Sequence, residues 1–307
     1  MKVSIIIPSF NQGEFLEQTL ESVFAQDAVE REVLVFDGGS TDRTIEVLRR
    51  HDARLDYWES RPDRGQTHAI NKGLARMSGD VWMYLNSDDL LAPGALAAVS
   101  RAFLDPSVMW VAGFCEVFDE SGIIGAVQPG PATRMKDYLA PWNRPSRYIF
   151  PFSGACYMRQ EVIERIGMFD ESYRYSMDDE YYCRSVFAGG AIRQTIVPKM
   201  LARWRWHPES KTMNRGIAYA FRAEEIRIAQ TYGYALSSEE RAELDAEIRV
   251  QLKWLAVREA MWLLGEGRRE DAVSLMLRAV GASPSLILFR PWLGAMRRAL
   301  MGFHTFI

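Results

Sequence analysis

Four short apolar runs, Val3 to Ile7, Glu32 to Phe36, Leu55 to Trp58 and Val81 to Leu85, alternate with stretches whose apolar residues recur at helical spacing. The helical stretches run from Glu14 to Ala25, Thr41 to Arg50 and Gln66 to Met77, each entered through a loop carrying Asn, Ser, Thr, Asp or Gly. This alternation predicts an α/β fold with a mostly parallel, Rossmann-like sheet. Between Val108 and Gln128 the pattern changes to antiparallel or irregular strands broken by Gly113, Gly122 and Gly125, and Pro129 to Pro151 reads as a long loop. Gln160 to Ile166 and Asp178 to Ala188 predict short helices, and Thr195 to His207 another extended stretch. From about Asn214 the chain is nearly all helix-period, so the expected organisation is a domain over 1–213 and a helical extension over 214–307. No repeat or low-complexity segment interrupts it.

Composition narrows the class. At 307 residues, 48% hydrophobic and 25% charged, the chain has room for two core-bearing units and is neither disordered nor a disulfide scaffold. Its 37 basic and 40 acidic side chains leave a net charge of −3, which argues against a nucleic-acid partner. Cys115, Cys156 and Cys183 are too far apart for a C-x-x-C pair and are expected as buried small hydrophobes. No apolar run approaches the roughly 18 residues of a spanning helix, so a cytoplasmic protein is expected.

The ends of parallel strands are where an open α/β sheet takes its ligand. Polar clusters follow all four predicted strands: Pro8-Ser9-Phe10-Asn11, Asp37-Gly38-Gly39-Ser40-Thr41-Asp42, Glu59-Ser60-Arg61-Pro62-Asp63-Arg64-Gly65-Gln66 and Asn86-Ser87-Asp88-Asp89. Any one suits a turn with a helix cap; four together point to a site. Asp88 and Asp89 are adjacent carboxylates that repel unless a cation neutralises them, which points to Mn²⁺ or Mg²⁺ and a diphosphate-bearing ligand. Either also suits a cap for the helix beginning near Pro93. No G-x-x-x-x-G-K-[ST] loop is present, nor a G-x-G-x-x-G after the first strand, so ATP hydrolysis and dinucleotide chemistry lack their phosphate cradles.

These motifs, with Ala69-Ile70-Asn71-Lys72-Gly73, resemble those of family 2 glycosyltransferases of the GT-A fold over residues 1 to about 212. The resemblance implies a mostly parallel sheet, a smaller antiparallel acceptor-side part and transfer of a sugar from a nucleotide-sugar donor with inversion. It implies that Pro8 and Asp37 border the base and ribose, that Asp88 lies over the ribose and metal, and that Asp89 is the metal-binding end of the motif. Ser9, Phe10, Asn11, Asp63, Arg64, Gln66 and Asn71 belong with the donor site on the same grounds. Many members carry a second Asp where Gly38 stands, so the base contact rests on Asp37 alone.

The segment Asp178-Asp179-Glu180-Tyr181-Tyr182-Cys183-Arg184 resembles the family's catalytic-base segment, with Asp178 in the base position and Asp179 and Glu180 as alternates. A carboxylate there can take a proton from an acceptor hydroxyl, although all three acids also suit a helix's first turn. In Arg203-Trp204-Arg205-Trp206-His207 a period of two puts both tryptophans on one face. Arg203, Arg205 and His207 share the other, where Arg205 is expected at the diphosphate and, from the resemblance, His207 at the metal. Ser153 and Gly154 are expected to admit the sugar.

The family's processive members carry a Q-x-x-R-W motif and membrane helices, absent here, so one sugar per encounter is expected. A UDP-sugar donor and a glycan or lipid-linked saccharide acceptor complete the expectation, in polysaccharide, lipopolysaccharide or glycan assembly. A nucleotidyltransferase and an inactive sugar-nucleotide-binding module stay open beside it, as does an oligomer. The last 30 residues hold four arginines and no acid. A helical wheel over 288–303 groups Phe289, Trp292, Leu293, Met296, Leu300 and Phe303 opposite Arg290, Arg297 and Arg298. Contact with an anionic inner-leaflet surface, core packing and dimerisation all suit that face.

Overall fold

The structure, a computed structural model, describes residues 1–27, 29–129, 134–143, 151–187, 192–211, 217–282 and 284–301. It divides into two compact units, Met1–His207 and Pro208–Ile307. Parts of the proline-rich loop (130–133 and 144–150), the start of the helical extension (214–216) and Phe303 lie outside the described residues.

The first unit runs β1 (Lys2–Ser9), α1 (Leu16–Phe24), β2 (Glu30–Asp37), α2 (Thr44–Arg50), β3 (Tyr57–Ser60), α3 (Gln66–Arg76), β4 (Val81–Tyr84), β5 (Leu90–Leu91), α4 (Ala95–Ala102), β6 (Trp110–Asp119), β7 (Gly122–Val127), α5 (Lys136–Leu139), β8 (Cys156–Arg159), α6 (Gln160–Ile166), α7 (Met177–Phe187) and β9 (Gln194–Arg205). Among the described residues these strands form one nine-stranded sheet in the order β3-β2-β1-β4-β8-β6-β9-β5, with β7 on β6. The β3-β2-β1-β4 half is parallel. Beyond β4 the sheet turns antiparallel through β8, β6, β7 and the β5–β9 pair, apart from a parallel β6–β9 ladder.

The central strands are mostly apolar because both faces are covered, with buried Ser4 of β1 donating to Glu32 of β2. One face carries Val3, Ile5, Ile7, Val33, Val35, Met83 and Leu85 and packs against α1, α2 and α4 through Leu16, Leu20, Val47, Leu48, Leu96 and Val99, all buried. The other carries Ile6, Trp82 and Tyr84. There α3 comes so close that a Cβ on Gly73 would stand 2.4 Å from Ile6 Cγ2, and Tyr181 of α7 and Phe169 pack on Trp82. Pro8 costs this sheet nothing. Ile6 O accepts the Leu85 N–H and Ser9 O the Gly38 N–H, so even-numbered backbone groups of β1 face β4, whose register ends at Ile6.

Two expected boundaries move. The third strand starts at Tyr57 because a 3₁₀ turn, Asp52–Arg54, occupies the preceding residues, and Glu59 and Ser60 become strand residues with Ser60 opposite Asp37. The 203–207 alternation also stops early: β9 ends at Arg205, so Trp204 stacks on Phe152 beside the core while Trp206 stays exposed.

The second unit consists of α8 (Ala218–Tyr232), α9 (Ser238–Gly265), α10 (Arg269–Ala282) and α11 (Arg290–Met301). Ser237 caps α9 by accepting the Glu240 N–H. Val257, Ala260, Met276, Leu286, Trp292, Ala295 and Ala299 form its core, with Phe289 and Met296 against it. The apolar face of α11 is therefore largely used up inside the unit, and Leu293, grouped with Trp292 on the wheel, is exposed instead.

Replacing Gly73 with Ala sets a helix-propensity gain of up to about 1 kcal/mol against overpacking of Ile6, which costs about 1–3 kcal/mol. With a fully buried β1 behind Ile6, the second term wins, and urea unfolding is expected to show Gly73→Ala less stable than the parent.

Candidate active site

The register of β1, β2 and β3 puts Ser9, Asp37 and Ser60 side by side, so their following loops share one end of the sheet with the loop after β4. The loops are braced mainly by side-chain bonds to backbone. Asp37, fully buried, accepts from the N–H groups of Gly39 (3.1 Å) and Ser40 (2.8 Å) and from the hydroxyls of Ser60 (2.6 Å) and Ser40. Asn11, at φ 52°, accepts the Thr41 N–H and donates its own backbone N–H to Ser40 Oγ, tying the first two loops; Asn tolerates this left-handed conformation better than most residues. Burial alone would raise Asp42. Hydrogen bonds from the Thr44 hydroxyl and the N–H groups of Gly13 and Thr44 override it and hold the carboxyl below its usual range.

Asp37 thus faces inward with both oxygens engaged in organising the loop. What lies open at this end is Phe10, 59% exposed. Ser9 is buried with its hydroxyl lacking a partner. Beside Phe10 sits Gly38: a Cβ there would be 3.2 Å from Phe10 Cδ2 and 3.3 Å from Asp63 Oδ1. An Asp at position 38 would bring a second carboxylate against Asp63, which gives a physical reason for glycine here.

The loop after β4 separates its two carboxylates. Asp89 is 1% exposed; its Oδ1 accepts the Arg205 N–H (2.9 Å) and its Oδ2 the Asn86 amide (3.0 Å). Burial and the neighbouring Asp88 charge push it well above the usual carboxylate range, against those two bonds. Asp88 turns the other way, with Oδ2 3.0 Å from His207 Nε2. The His207 ring lies against Phe15, centroids 4.7 Å apart. Thus the structure brings His207 to Asp88, and Asp89, expected as the metal-binding end, is committed to the interior.

Arg205 is less available than expected. Its guanidinium donates to the Asp88 carbonyl (2.9 Å) and Gln18 Oε1 (2.8 Å), with Phe15 and Phe118 rings at 4.9 and 4.6 Å. Arg203 pairs with Glu116 at 2.9 Å. The cationic face read from the alternation is consumed in internal bonds.

The α3 residues split similarly. Gln66 donates to Asn86 Oδ1 (2.7 Å), and so supports the residue that holds Asp89. Asn71 accepts the Phe169 N–H (3.0 Å) and donates to the Phe169 carbonyl (2.9 Å), while the Thr67 hydroxyl donates to the Tyr173 carbonyl (3.1 Å). Arg64 pairs with Glu171. Asn71, Thr67 and Arg64 therefore pin the segment that leads into α7, and Asn71 acts on that segment. Asp178 opens α7, half-buried, its Oδ1 accepting the Asp179 N–H (3.0 Å). Burial pushes the Tyr84 phenol well up, and the Asp178 charge adds to it; a hydrogen bond with Ser153 acts the opposite way on the same phenol. Glu180, one of the alternates for the base, is buried in a two-bond pair with Arg184. Gly154 has a packing reason to lack a side chain: a Cβ would meet Phe152 at 3.1 Å and Leu85 at 3.2 Å. All three cysteines are buried and free.

Gln18, Thr19, Phe15 and Tyr84 also build this end, and motif reading did not find them. Thr19 Oγ1 lies 2.9 and 2.8 Å from the carbonyls of Ser87 and Asp89. In the sequence these are ordinary positions on an amphipathic helix and a buried strand.

Residues 4–167 match the family model of Glycosyl transferase family 2. An uncharacterized glycosyltransferase of Mycobacterium tuberculosis is 30% identical over 188 residues, 60% of this chain and 68% of that protein. A GalNAc(5)-diNAcBac-PP-undecaprenol beta-1,3-glucosyltransferase of Campylobacter jejuni is 33% identical, over 33% of this chain and 34% of its own. Two solved structures share the fold. A Pyrobaculum calidifontis mannosyltransferase in complex with GDP-Man and Mn²⁺ has a TM-score of 0.59 at 20% identity, over 97% of this chain and 86% of that one. Staphylococcus aureus TarS 1-349 in complex with UDP-GlcNAc has 0.57 at 16%, over 97% and 80%.

Two outcomes follow from the bracing. Asn71→Ala leaves the Phe169 backbone groups without their partners and is expected to cost about 1–3 kcal/mol in chemical denaturation; an unchanged midpoint would remove this anchoring role. Glu59 is held down at about 2 by hydrogen bonding to Arg61, against burial and with help from Lys72 and Tyr57. A depressed carboxyl stabilises the fold above its ordinary value of 4.5 and loses that contribution as pH falls toward 2. The stability gap between the parent and Glu59→Gln is expected at about 1 kcal/mol near neutrality, allowing for the exposed Arg61, and to narrow between pH 4.5 and 2; a pH-independent gap would contradict it.

Proposed function

The chain belongs to glycosyl transferase family 2, and from that premise we propose that it moves one sugar from a nucleotide-diphosphate donor to an acceptor hydroxyl. The observation that carries this reading is an Asp–His pair at the C-terminal end of β4. The Asp88–His207 pair follows the strand, and the Asp178 charge acts on its Tyr84.

Asp88 and His207 are assigned as the protein ligands of a divalent cation, Mn²⁺ or Mg²⁺, with Asp89 as the residue that positions Asp88. The donor set fits. At 3.0 Å apart, a carboxylate oxygen and an imidazole nitrogen would both be able to reach one small divalent cation. Among the described residues no group of three His, Cys, Asp or Glu side chains could hold a metal ion; an ion held by Asp88 and His207 would need further ligands from the donor's phosphates and water. A cation beside Asp88 also offsets the cost of keeping Asp89 charged in the interior. The Mn²⁺ in the mannosyltransferase complex supports the choice of ion. When bound, the cation supplies positive charge against the departing diphosphate.

Asp178 takes the proton of the acceptor hydroxyl as that oxygen bonds to the anomeric carbon, while the bond to the diphosphate oxygen breaks on the opposite face. Configuration inverts in this single displacement. Glu180 is unavailable for the task because it neutralises Arg184, which in turn donates to the carbonyls of Ile166 and Met168 and so holds the loop ahead of α7. Phe10 and the Gly38 gap would border the base, with Ser9 and Pro8 beside it, and Ser153 would face the sugar. Nucleotide sugars in both solved structures support that donor class, a UDP-sugar among them. The Campylobacter jejuni enzyme, named for an undecaprenol-linked substrate, supports a glycan or lipid-linked saccharide acceptor.

Calorimetry and product analysis test this together. Asp178→Asn is expected to bind donor as the parent does and to lose at least about a hundredfold in transfer. Asp88→Ala is expected to lose metal-dependent donor binding. The released product should be a nucleoside diphosphate. Full transfer by Asp178→Asn would overturn the base assignment, and pyrophosphate release would favour a nucleotidyltransferase.

A further inference from the structure

The second unit carries charge that its own surface does not balance. From Arg278 to Ile307 the sequence has four arginines and no acidic residue, in a chain whose net charge is −3. On α11 the two sides have separated. Trp292, Ala295 and Ala299 are buried in the core of the unit, whereas Arg290, Leu293 and Arg297, spaced three and four apart, form an exposed stripe. Among the described residues neither Arg290 nor Arg297 has an acidic partner.

The 3₁₀ turn Pro284–Leu288 leads into this stripe. Leu286 anchors it in the core, and the next two residues stand in solvent: Ile287 is 52% exposed and Leu288 85%, with Leu293 at 51%. A turn held from beneath by one leucine and presenting two large aliphatic side chains, beside a stripe of unneutralised arginines, is an arrangement with a specific complement. We propose that Ile287, Leu288 and Leu293 insert into the interfacial region of an anionic membrane while Arg290 and Arg297 contact its head groups.

The choice of a lipid surface over a protein follows from size and pattern. A stable protein interface covers roughly 800 Å² per partner, about 20 to 30 residues, and has little charge at its centre. Here three aliphatic side chains are interleaved with arginines, which bury their stems and extend their guanidinium groups toward phosphate. No described helix is long and apolar enough to cross a membrane, so the contact is peripheral. It differs from the arrangement expected from the wheel, because Trp292 and Met296 pack in the protein core and the inserting residues come from the turn.

The test is sedimentation of the full chain with phosphatidylcholine vesicles, with and without phosphatidylglycerol. The parent is expected to sediment with the anionic vesicles and to be released by salt. Arg290→Glu/Arg297→Glu and, separately, Leu288→Asp are each expected to weaken partitioning at least about tenfold. Arg249→Glu, an exposed charge reversal on α9, is expected to bind within a factor of about three of the parent. All four positions are exposed, and a parent-like thermal transition checks folding. Equal partitioning into both vesicle types, or parent-like binding by both ridge variants, would overturn the proposal. So would lipid-independent self-association abolished by Leu288→Asp, which would assign the ridge to a second copy. Because the readout is partitioning and not transfer, failure here leaves the glycosyltransferase reading untouched, and failure of that reading leaves this one standing.

Discussion

The candidate site depends on how one buried carboxylate is satisfied. Asp88 and Asp89 are covalent neighbours and cannot both face a small polar site without strong repulsion. The chain resolves this by turning Asp89 inward, where the Arg205 backbone N–H and the Asn86 amide meet its oxygens. That bond spans 116 positions of sequence. It fixes the end of β9 against the end of β4, and His207, two residues after Arg205, then falls beside Asp88. The Arg205 side chain closes the same joint from outside through the Asp88 carbonyl and Gln18. A buried carboxyl group answered by two donors is costly to displace, so the geometry of the less buried Asp88 is set by the hidden Asp89.

The other half of the site is positioned by a separate set of bonds. Asn71, Thr67 and Arg64 of α3 and its preceding loop hold residues 169–173, and Arg184 of α7 reaches back to Ile166 and Met168. Phe169 stacks on Tyr181 and meets Trp82 and Tyr84 edge-on. Asp178 thus enters the site from a helix clamped to the sheet face opposite α1 and α4. The loops after β1 and β2 border the same end of the sheet as the loop after β4. Many motif residues turn out to support other residues: Asn11, Asp37, Asp42, Gln66 and Asn71 hold loops whose backbone groups would otherwise lack partners.

In the second unit the same sequence pattern serves two ends. An amphipathic period says that a helix has an apolar side; it does not say whether protein or lipid covers it. Packing of α11 against α9 and α10 takes Trp292, Ala295 and Ala299, and leaves Ile287, Leu288 and Leu293 exposed.

Strand order along the chain, the alternation of strands and helices, the four polar loops and the identity of the acidic residues were legible because they follow from local periodicity and from residue chemistry. Gln160–Ile166 was readable to the residue, since a Gly closes it, and the third strand was displaced because the short turn before it has no strong local signature. What tertiary structure alone decided was direction: which of two adjacent aspartates faces the site, that Arg205 is spent on a carbonyl, that Gly154 is small to fit Leu85, and that Leu293 points away from Trp292. Sequence spacing specifies a side chain's period along its own element. Its partner, and therefore its availability for chemistry, comes from elements up to 187 positions away, and that pairing is fixed only when the whole sheet closes around its buried polar groups.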